Sequence, residues 1–292
     1  MASSTSIHHQ LVNQSIDTKF GQIQFGSRLG SGAFGSVYAS RFRNQNIAMK
    51  IVECRNDNDL FRYLREKICL ERLRYARHKN VVRVLGATTC GELGIFMFAL
   101  APQGSLDGYL KKHGPLAVAH AWKLFEQMLE GLAYLHVMGI FHRDVKPANV
   151  LLVDPLHCQL TDFGIAHCGT PFLHMIPAFS AQQKCGSDSF LPPEFFDIGS
   201  YLADAGDLWA AVITFIYMVT KRAPWLKASK VNDAEFKLFA EKNLRHLFPR
   251  WAPLQSAGKL SETLAMLEPV YRKRKYPTRY LQALQKLGVD PI

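Results

Sequence analysis

The sequence predicts an α+β chain of two lobes, a small β-rich lobe with one helix followed by a larger helical lobe. Short β-favouring runs fill residues 20–100, each bounded by turn residues. A single helical pattern at 59–75 interrupts them, and after the loop at 101–104 the apolar period becomes that of helices. With 48% hydrophobic and 20% charged residues in 292, the chain has the balance of a packed globular protein.

Residues 1–19 are polar and carry no hydrophobic period, so they are expected to form a mobile extension. Strands follow at 22–29, 36–42, 47–52, 81–87 and 95–100, a sheet of about five. In the helix at 59–75, Leu60, Leu64, Ile68 and Leu73 can share a buried face while Arg62, Arg65, Arg72 and Arg74 stay wet. The first lobe is expected over 20–98, a hinge over 99–104, the second lobe over 105–287 and a short tail over 288–292. In the second lobe Trp122, Phe125, Met128, Leu129, Leu132 and Leu135 recur at helical steps until Gly139. The apolar run 208–219 falls short of the ~18 residues a bilayer span needs and reads as a buried core helix. The basic run 272–275 reads as a solvated loop.

The start of the chain lacks an apolar leader, and Ala2 after Met1 excludes a myristoylation start. Secretion and membrane anchoring are therefore not expected. Six cysteines without a C-x-x-C pair suit neither a disulfide framework nor zinc, and point to a reducing, intracellular setting, cytoplasmic and/or nuclear. A net charge of +11 admits nucleic acid, anionic lipid or acidic protein partners without choosing among them.

The chemistry-bearing motifs begin with Gly30-Ser31-Gly32-Ala33-Phe34-Gly35, a glycine-rich turn after Leu29, where backbone N–H groups can approach phosphate oxygens. Alone it could also be a flexible hairpin or a dinucleotide turn. The strand that follows rules out the dinucleotide fold, which needs a helix there. Next, the two-residue period of 47–52 puts Ala48 and Lys50 on one strand face and Ile47, Met49 and Ile51 on the other. Lys50 could simply snorkel from an edge. Glu66 on the next helix offers the anion that would instead hold a cation beside phosphates, with Glu71 as its rival. The most specific signal is His142-Arg143-Asp144-Val145-Lys146-Pro147-Ala148-Asn149, followed by Asp162-Phe163-Gly164. Asp144 can accept a hydroxyl proton, Lys146 can neutralise a transferring phosphoryl group, and Asn149 with Asp162 can ligate Mg²⁺.

In this order the motifs resemble the eukaryotic protein kinase family over essentially all of 20–287. The family's Ala-Pro-Glu stands here as Pro192-Pro193-Glu194, and Asp207-Leu208-Trp209 is similar to its buried Asp-x-Trp, with Val212 where a glycine is usual. The resemblance implies the bilobal kinase fold, ATP and Mg²⁺ as cofactors, and Lys50, Glu66, Asp144 and Lys146 as catalytic residues. Leu29, Gly30, Ser31, Gly32, Ala33, Phe34, Gly35, Val37, Ala48, Phe98 and Leu151 would then line the nucleotide site, with backbone groups of Ala99 and Ala101 facing adenine. Leu70, Val84, His142 and Phe163 match a stacked spine. Arg274 would pair with Glu194, with Arg272 as alternative.

Lys146 is similar to the serine/threonine type, so the expected activity is phosphoryl transfer to a protein Ser/Thr hydroxyl in signalling or the cell cycle. Similarity extends to the calmodulin-kinase-like and checkpoint-kinase-like branch or to fungal regulators of meiosis and nutrient response. The activation-segment phosphosite falls on Gln183, which takes no phosphate, and Ser187 is matched to a hydroxyl that bonds Asp144 and Lys146. Protein substrates, regulatory protein partners and a monomer are expected. Two rivals stay open: a pseudokinase scaffold, although no charged motif residue is missing, and a nucleic-acid binder using the nine Lys/Arg against four Asp/Glu between Arg55 and Arg83.

Overall fold

The computed structural model describes residues 11–32, 35–75, 77–169, 179–180, 187–242, 248–270 and 273–289. Ala33 and Phe34 of the glycine turn, Thr170, Gln183, Gly186, Arg272 and the ends of the chain lie outside the described residues. The chain forms two compact units, Met1–His78 with Val82–Pro102, and Lys79–Val81 with Gln103–Ile292.

The first unit is built on an antiparallel sheet of six strands, β1 (Ser15–Thr18), β2 (Gly21–Gly32), β3 (Gly35–Phe42), β4 (Gln45–Glu53), β5 (Val84–Cys90) and β6 (Leu93–Ala99), in the order β1-β2-β3-β4-β6-β5. Here the structure departs from the expected extension, because 15–18 pairs with β2 in register Ser15↔Gln24 through Thr18↔Gly21. Too short to announce itself by alternation, β1 is held by main-chain bonds and by Ile16, which packs against the sheet core. It bends toward the opposite end of the sheet, where the Cys90 thiol donates to Asp17 O at 3.8 Å. One sheet face packs Ile23, Phe25, Tyr38, Ile47, Met49, Ile51, Ile95 and Met97 into a core, as the two-residue period dictates.

The other face carries Lys50, and helix α1 (Asp57–Tyr75) belongs to the same unit. Its buried residues are Tyr63, Glu66, Cys69, Leu70 and Leu73. Of the expected apolar face only Leu73 is buried, since Leu60, Leu64 and Ile68 are 41%, 43% and 54% exposed. Polar and aromatic anchors set the rotation of the helix instead. Tyr63 stacks on Phe96 at 4.9 Å and donates its hydroxyl to Thr88 O at 3.0 Å, while Glu66 turns in toward Lys50. Gly94 makes the approach possible, because a Cβ there would meet the Tyr63 ring at 2.4 Å.

The second unit contains α2 (Leu106–His113), α3 (Val118–Val137), β7 (Ile140–Phe141), β8 (Val150–Asp154), β9 (His157–Leu160), β10 (His167–Cys168), β11 (Phe179–Ser180), α4 (Pro193–Ile198), β12 (Ser200–Tyr201), α5 (Ala203–Thr220), α6 (Ala234–Ala240), α7 (Phe248–Ser256), α8 (Leu260–Met266) and α9 (Thr278–Lys286). Its strands form three short ladders, β7 with β10, β8 with β9 and β11 with β12. α5 is apolar enough for a membrane span by length and composition, yet 83% of that window is buried inside the structure. α3 and α5 supply most of the core, with Trp122, Phe125 and Phe215 in mutual ring contact. Cys54, Cys90 and Cys158 are free thiols. Cys69 and Cys168 are each disulfide-bonded, which the cysteine spacing gave no sign of.

Candidate active site

In the first unit, the strand-helix geometry brings Lys50 and Glu66 together. Lys50 Nζ donates to both oxygens of Glu66 at 2.8 and 2.9 Å, and the two side chains are 8% and 3% exposed. Glu71, the rival, instead lies 3.9 Å from Arg74 on the surface. A desolvated pair with both carboxylate oxygens engaged fixes the ammonium in one place. In the sheet register Val37 opposes Lys50, and Ala48 opposes Phe98, so these four share the face away from the core. Leu29, three residues before the end of β2, is exposed.

A Cβ at Gly30 or Gly32 would meet nothing within 4 Å, which leaves open space above the backbone for a ligand. Gly35, at φ +120°, would drive a Cβ to 2.1 Å from Ile51 O, so only glycine can close this turn. At the end of β6 the Ala99 N–H donates to Arg83 O at 3.0 Å. Ala101 is buried in the same unit.

The second unit gathers the remaining residues. Asp144 Oδ2 accepts from Lys146 Nζ at 2.7 Å and from Asn149 Nδ2 at 2.8 Å. Asn149 Nδ2 also donates to Asp144 O at 2.9 Å. With both amide protons used, its carboxamide oxygen is the atom left to ligate a cation. Lys146 Nζ donates as well to Ser187 Oγ at 3.2 Å. Asp162 and Arg143 adopt left-handed backbone, at φ 65° and 67°, a conformation costing about 1–2 kcal/mol for a side-chain-bearing residue. Leu151 pairs with Gln159 in the β8–β9 ladder.

Asp207 of α5 offsets that cost at Arg143. Buried, it accepts from the His142 N–H at 2.8 Å, the Arg143 N–H at 2.6 Å and His136 Nε2 at 2.9 Å. A carboxylate only accepts, so His136 Nε2 carries the proton. His136 Nδ1 lies 2.8 Å from the Tyr280 hydroxyl. His142 is likewise in one tautomer, with Nε2 donating to Thr161 O at 2.9 Å and Nδ1 accepting from the Asp144 N–H at 3.3 Å. Its ring packs on Phe163 at 5.3 Å. Leu70 and Val84 are buried in the first unit.

Sequence reasoning missed His136 and Tyr280. A lone histidine near the end of an apolar helix was the available signal for the first, and a tyrosine in α9 gives none. Glu194 is held by Arg274 through two parallel bonds of 3.0 and 2.9 Å, with the guanidinium 4.6 Å from the Trp209 ring.

Among the described residues no group of three or more His, Cys, Asp or Glu forms a metal cage. Asn149 and Asp162 offer one carboxamide and one carboxylate, the sparse oxygen set suited to Mg²⁺ that keeps waters and phosphate ligands.

Residues 23–276 match the family described as protein kinase domain. "Serine/threonine-protein kinase grp" of Drosophila melanogaster is 28% identical over 230 residues, covering 78% of this chain and 44% of that protein. "Serine/threonine-protein kinase chk-1" of Caenorhabditis briggsae is 31% identical over 74% of this chain and 44% of its own length. "Serine/threonine-protein kinase PkaA" of Streptomyces coelicolor is 34% identical over 73% and 41% respectively. The chain thus spans less than half the length of these relatives.

Proposed function

Because this chain belongs to the protein kinase family, we propose that it is a serine/threonine kinase transferring the γ-phosphoryl group of MgATP to a protein hydroxyl. One observation carries this reading furthest. Asp144 Oδ2 is clamped by Lys146 and Asn149, whereas its Oδ1 is buried with no hydrogen-bond partner. A buried carboxylate oxygen without a donor is costly unless a ligand supplies one, and a substrate hydroxyl supplies one.

When bound, MgATP supplies the transferable phosphoryl group and a metal that neutralises its oxygens. Lys50, held by Glu66, binds phosphate oxygens, and the open backbone at Gly30 and Gly32 accommodates them. Asn149 and Asp162 hold the cation. Asp144 orients the acceptor hydroxyl through Oδ1 and takes its proton, and Lys146 stabilises charge beside it. Asp207 fixes the backbone that carries Asp144.

A signalling or cell-cycle role fits this chemistry, and its names among relatives support the checkpoint-kinase-like branch. An intracellular setting, cytoplasmic and/or nuclear, goes with ATP as donor. We further propose that the chain acts as a monomer under the control of protein partners.

The test is phosphate incorporation from labelled ATP into a degenerate serine/threonine peptide library, wild type beside Asp162→Asn. Incorporation by the wild type alone supports the reading. If the two proteins behave alike, the pseudokinase scaffold replaces it.

A further inference from the structure

Between α5 and α6 the 221–232 loop is both ordered and unusually exposed in its chemistry. Trp225, Ala228 and Ser229 are buried, with the Trp225 ring packed among Trp209, Phe236 and Phe239. Asp233 stitches the loop from beneath: Oδ2 accepts the Leu226 and Lys227 N–H groups at 2.8 and 3.2 Å, and Oδ1 accepts the Phe236 N–H at 3.0 Å. The outward side chains are Lys221, Arg222 and Lys230, all exposed, with Leu226 at 77% and Val231 at 91% exposure. No Asp or Glu occurs in 221–232, and the neighbouring Asp233 carboxylate is already spent on backbone donors.

This surface is continuous with the catalytic loop inside the second unit. Lys146 bonds Ser187, and the next residues reach the 221–232 loop directly. Ser189 Oγ donates to Leu226 O at 3.2 Å, and Lys227 Nζ lies 3.5 Å from Asp188.

We propose that the 221–232 loop docks an acidic segment of the protein substrate, with aliphatic residues of that segment covering Leu226 and Val231; this rests on the kinase reading above. Lys221, Arg222 and Lys230, in a loop that carries no Asp or Glu of its own, favour a negative partner, and the exposed aliphatics supply apolar contact area that a purely ionic ligand would leave wet. The held backbone means little loop ordering is lost on binding. Nucleic acid fits less well, because the loop's one aromatic side chain, Trp225, is buried and offers no stacking platform.

The experiment is fluorescence anisotropy of the full chain with a labelled peptide of alternating Glu, Asp, Leu and Val that contains no hydroxyl residue. The comparisons are Lys221→Glu/Arg222→Glu/Lys230→Glu, Leu226→Ser/Val231→Ser, and a control of equal charge change at exposed positions elsewhere, Lys112→Glu/Lys123→Glu/Lys286→Glu. Three exposed ion contacts multiply to about tenfold in affinity, so the first variant should weaken binding by at least that. The second should weaken it several-fold, and the control under twofold. A matching peptide ending in serine should show KM raised and kcat unchanged in the loop variants. Equal losses in loop and control variants would overturn the proposal, as would single-stranded RNA binding more tightly than the peptide and depending on the same loop. Binding is read without phosphoryl transfer, so docking by a chain that transfers nothing would count against the kinase reading and leave the surface standing.

Discussion

Replacing Lys50 by Met tests whether the ion pair is a device of function held at the expense of stability. The substitution keeps the side chain's length but strips Glu66 of the donor that engages both its oxygens at 2.8 and 2.9 Å. Glu66 is only 2% exposed, so water cannot take the place of Lys50. Removing one member of a buried pair typically costs about 3–5 kcal/mol, which corresponds to a melting shift of roughly 6–20 °C for a chain of this size class.

Glu66→Gln, made together with Lys50→Met, removes the stranded charge and should recover most of that loss in melting temperature. Turnover should not return in the double variant, since the phosphate-binding cation is still missing. Its absence is expected to cost at least ~10² in rate. Thermal melts and peptide phosphorylation on wild type, both single variants and the double variant decide the matter. A Lys50→Met protein that melts with the wild type, or a double variant no more stable than it, would refute the assignment of a desolvated functional pair.

Asp144→Asn should lower turnover by at least ~10² with unchanged nucleotide affinity, measured by steady-state kinetics beside calorimetry, because it removes the proton acceptor without emptying the site. Tyr280→Phe should cost about 1 kcal/mol in chemical denaturation by deleting the hydroxyl on His136 Nδ1, with kcat little changed. Alkali should destabilise the protein: burial pushes the Tyr63 phenol and the Cys158 thiol up to about 12 from 10.0 and 9.0, and raises Tyr280 as well. The unfolded chain therefore loses these protons first, so stability falls as pH rises from about 9 toward 12. Unfolding free energy from chemical denaturation that stays flat between about pH 9 and pH 12 would contradict this.

The residues that carry chemistry could be read from the chain because their types and spacing are fixed by phosphate, metal and proton, and local loops hold them. The strand face of Lys50 followed from a period of two. Helix α1 did not yield to its apolar pattern, since Leu60, Leu64 and Ile68 satisfy a helical stripe while Tyr63 and Glu66 win the burial through specific partners on the sheet. The pairing of Glu194 with Arg274 needed the fold, because Arg274 sits in a run of basic residues that sequence spacing does not rank, and its two bonds to Glu194 span 80 residues. His136 and Tyr280 are 144 residues apart in sequence, and neither belongs to a motif with a spacing of its own.

The short strand β1 also bears on colloidal behaviour. β2 is twelve residues long, and β1 masks part of its outer edge while folding back toward β5 at the other end of the sheet. An uncovered edge of that length is a template for pairing with other chains. Replacing Ser15 and Asp17 of β1 by Pro, which withdraws its main-chain donors while leaving Leu11 in the core, should therefore retain every motif residue and yet promote self-association on warming, visible as light scattering that rises with concentration. The four residues of β1, three of them polar and one, Ile16, packed against the sheet core, contribute nothing to phosphoryl transfer and would then set the concentration at which the protein can be kept in solution.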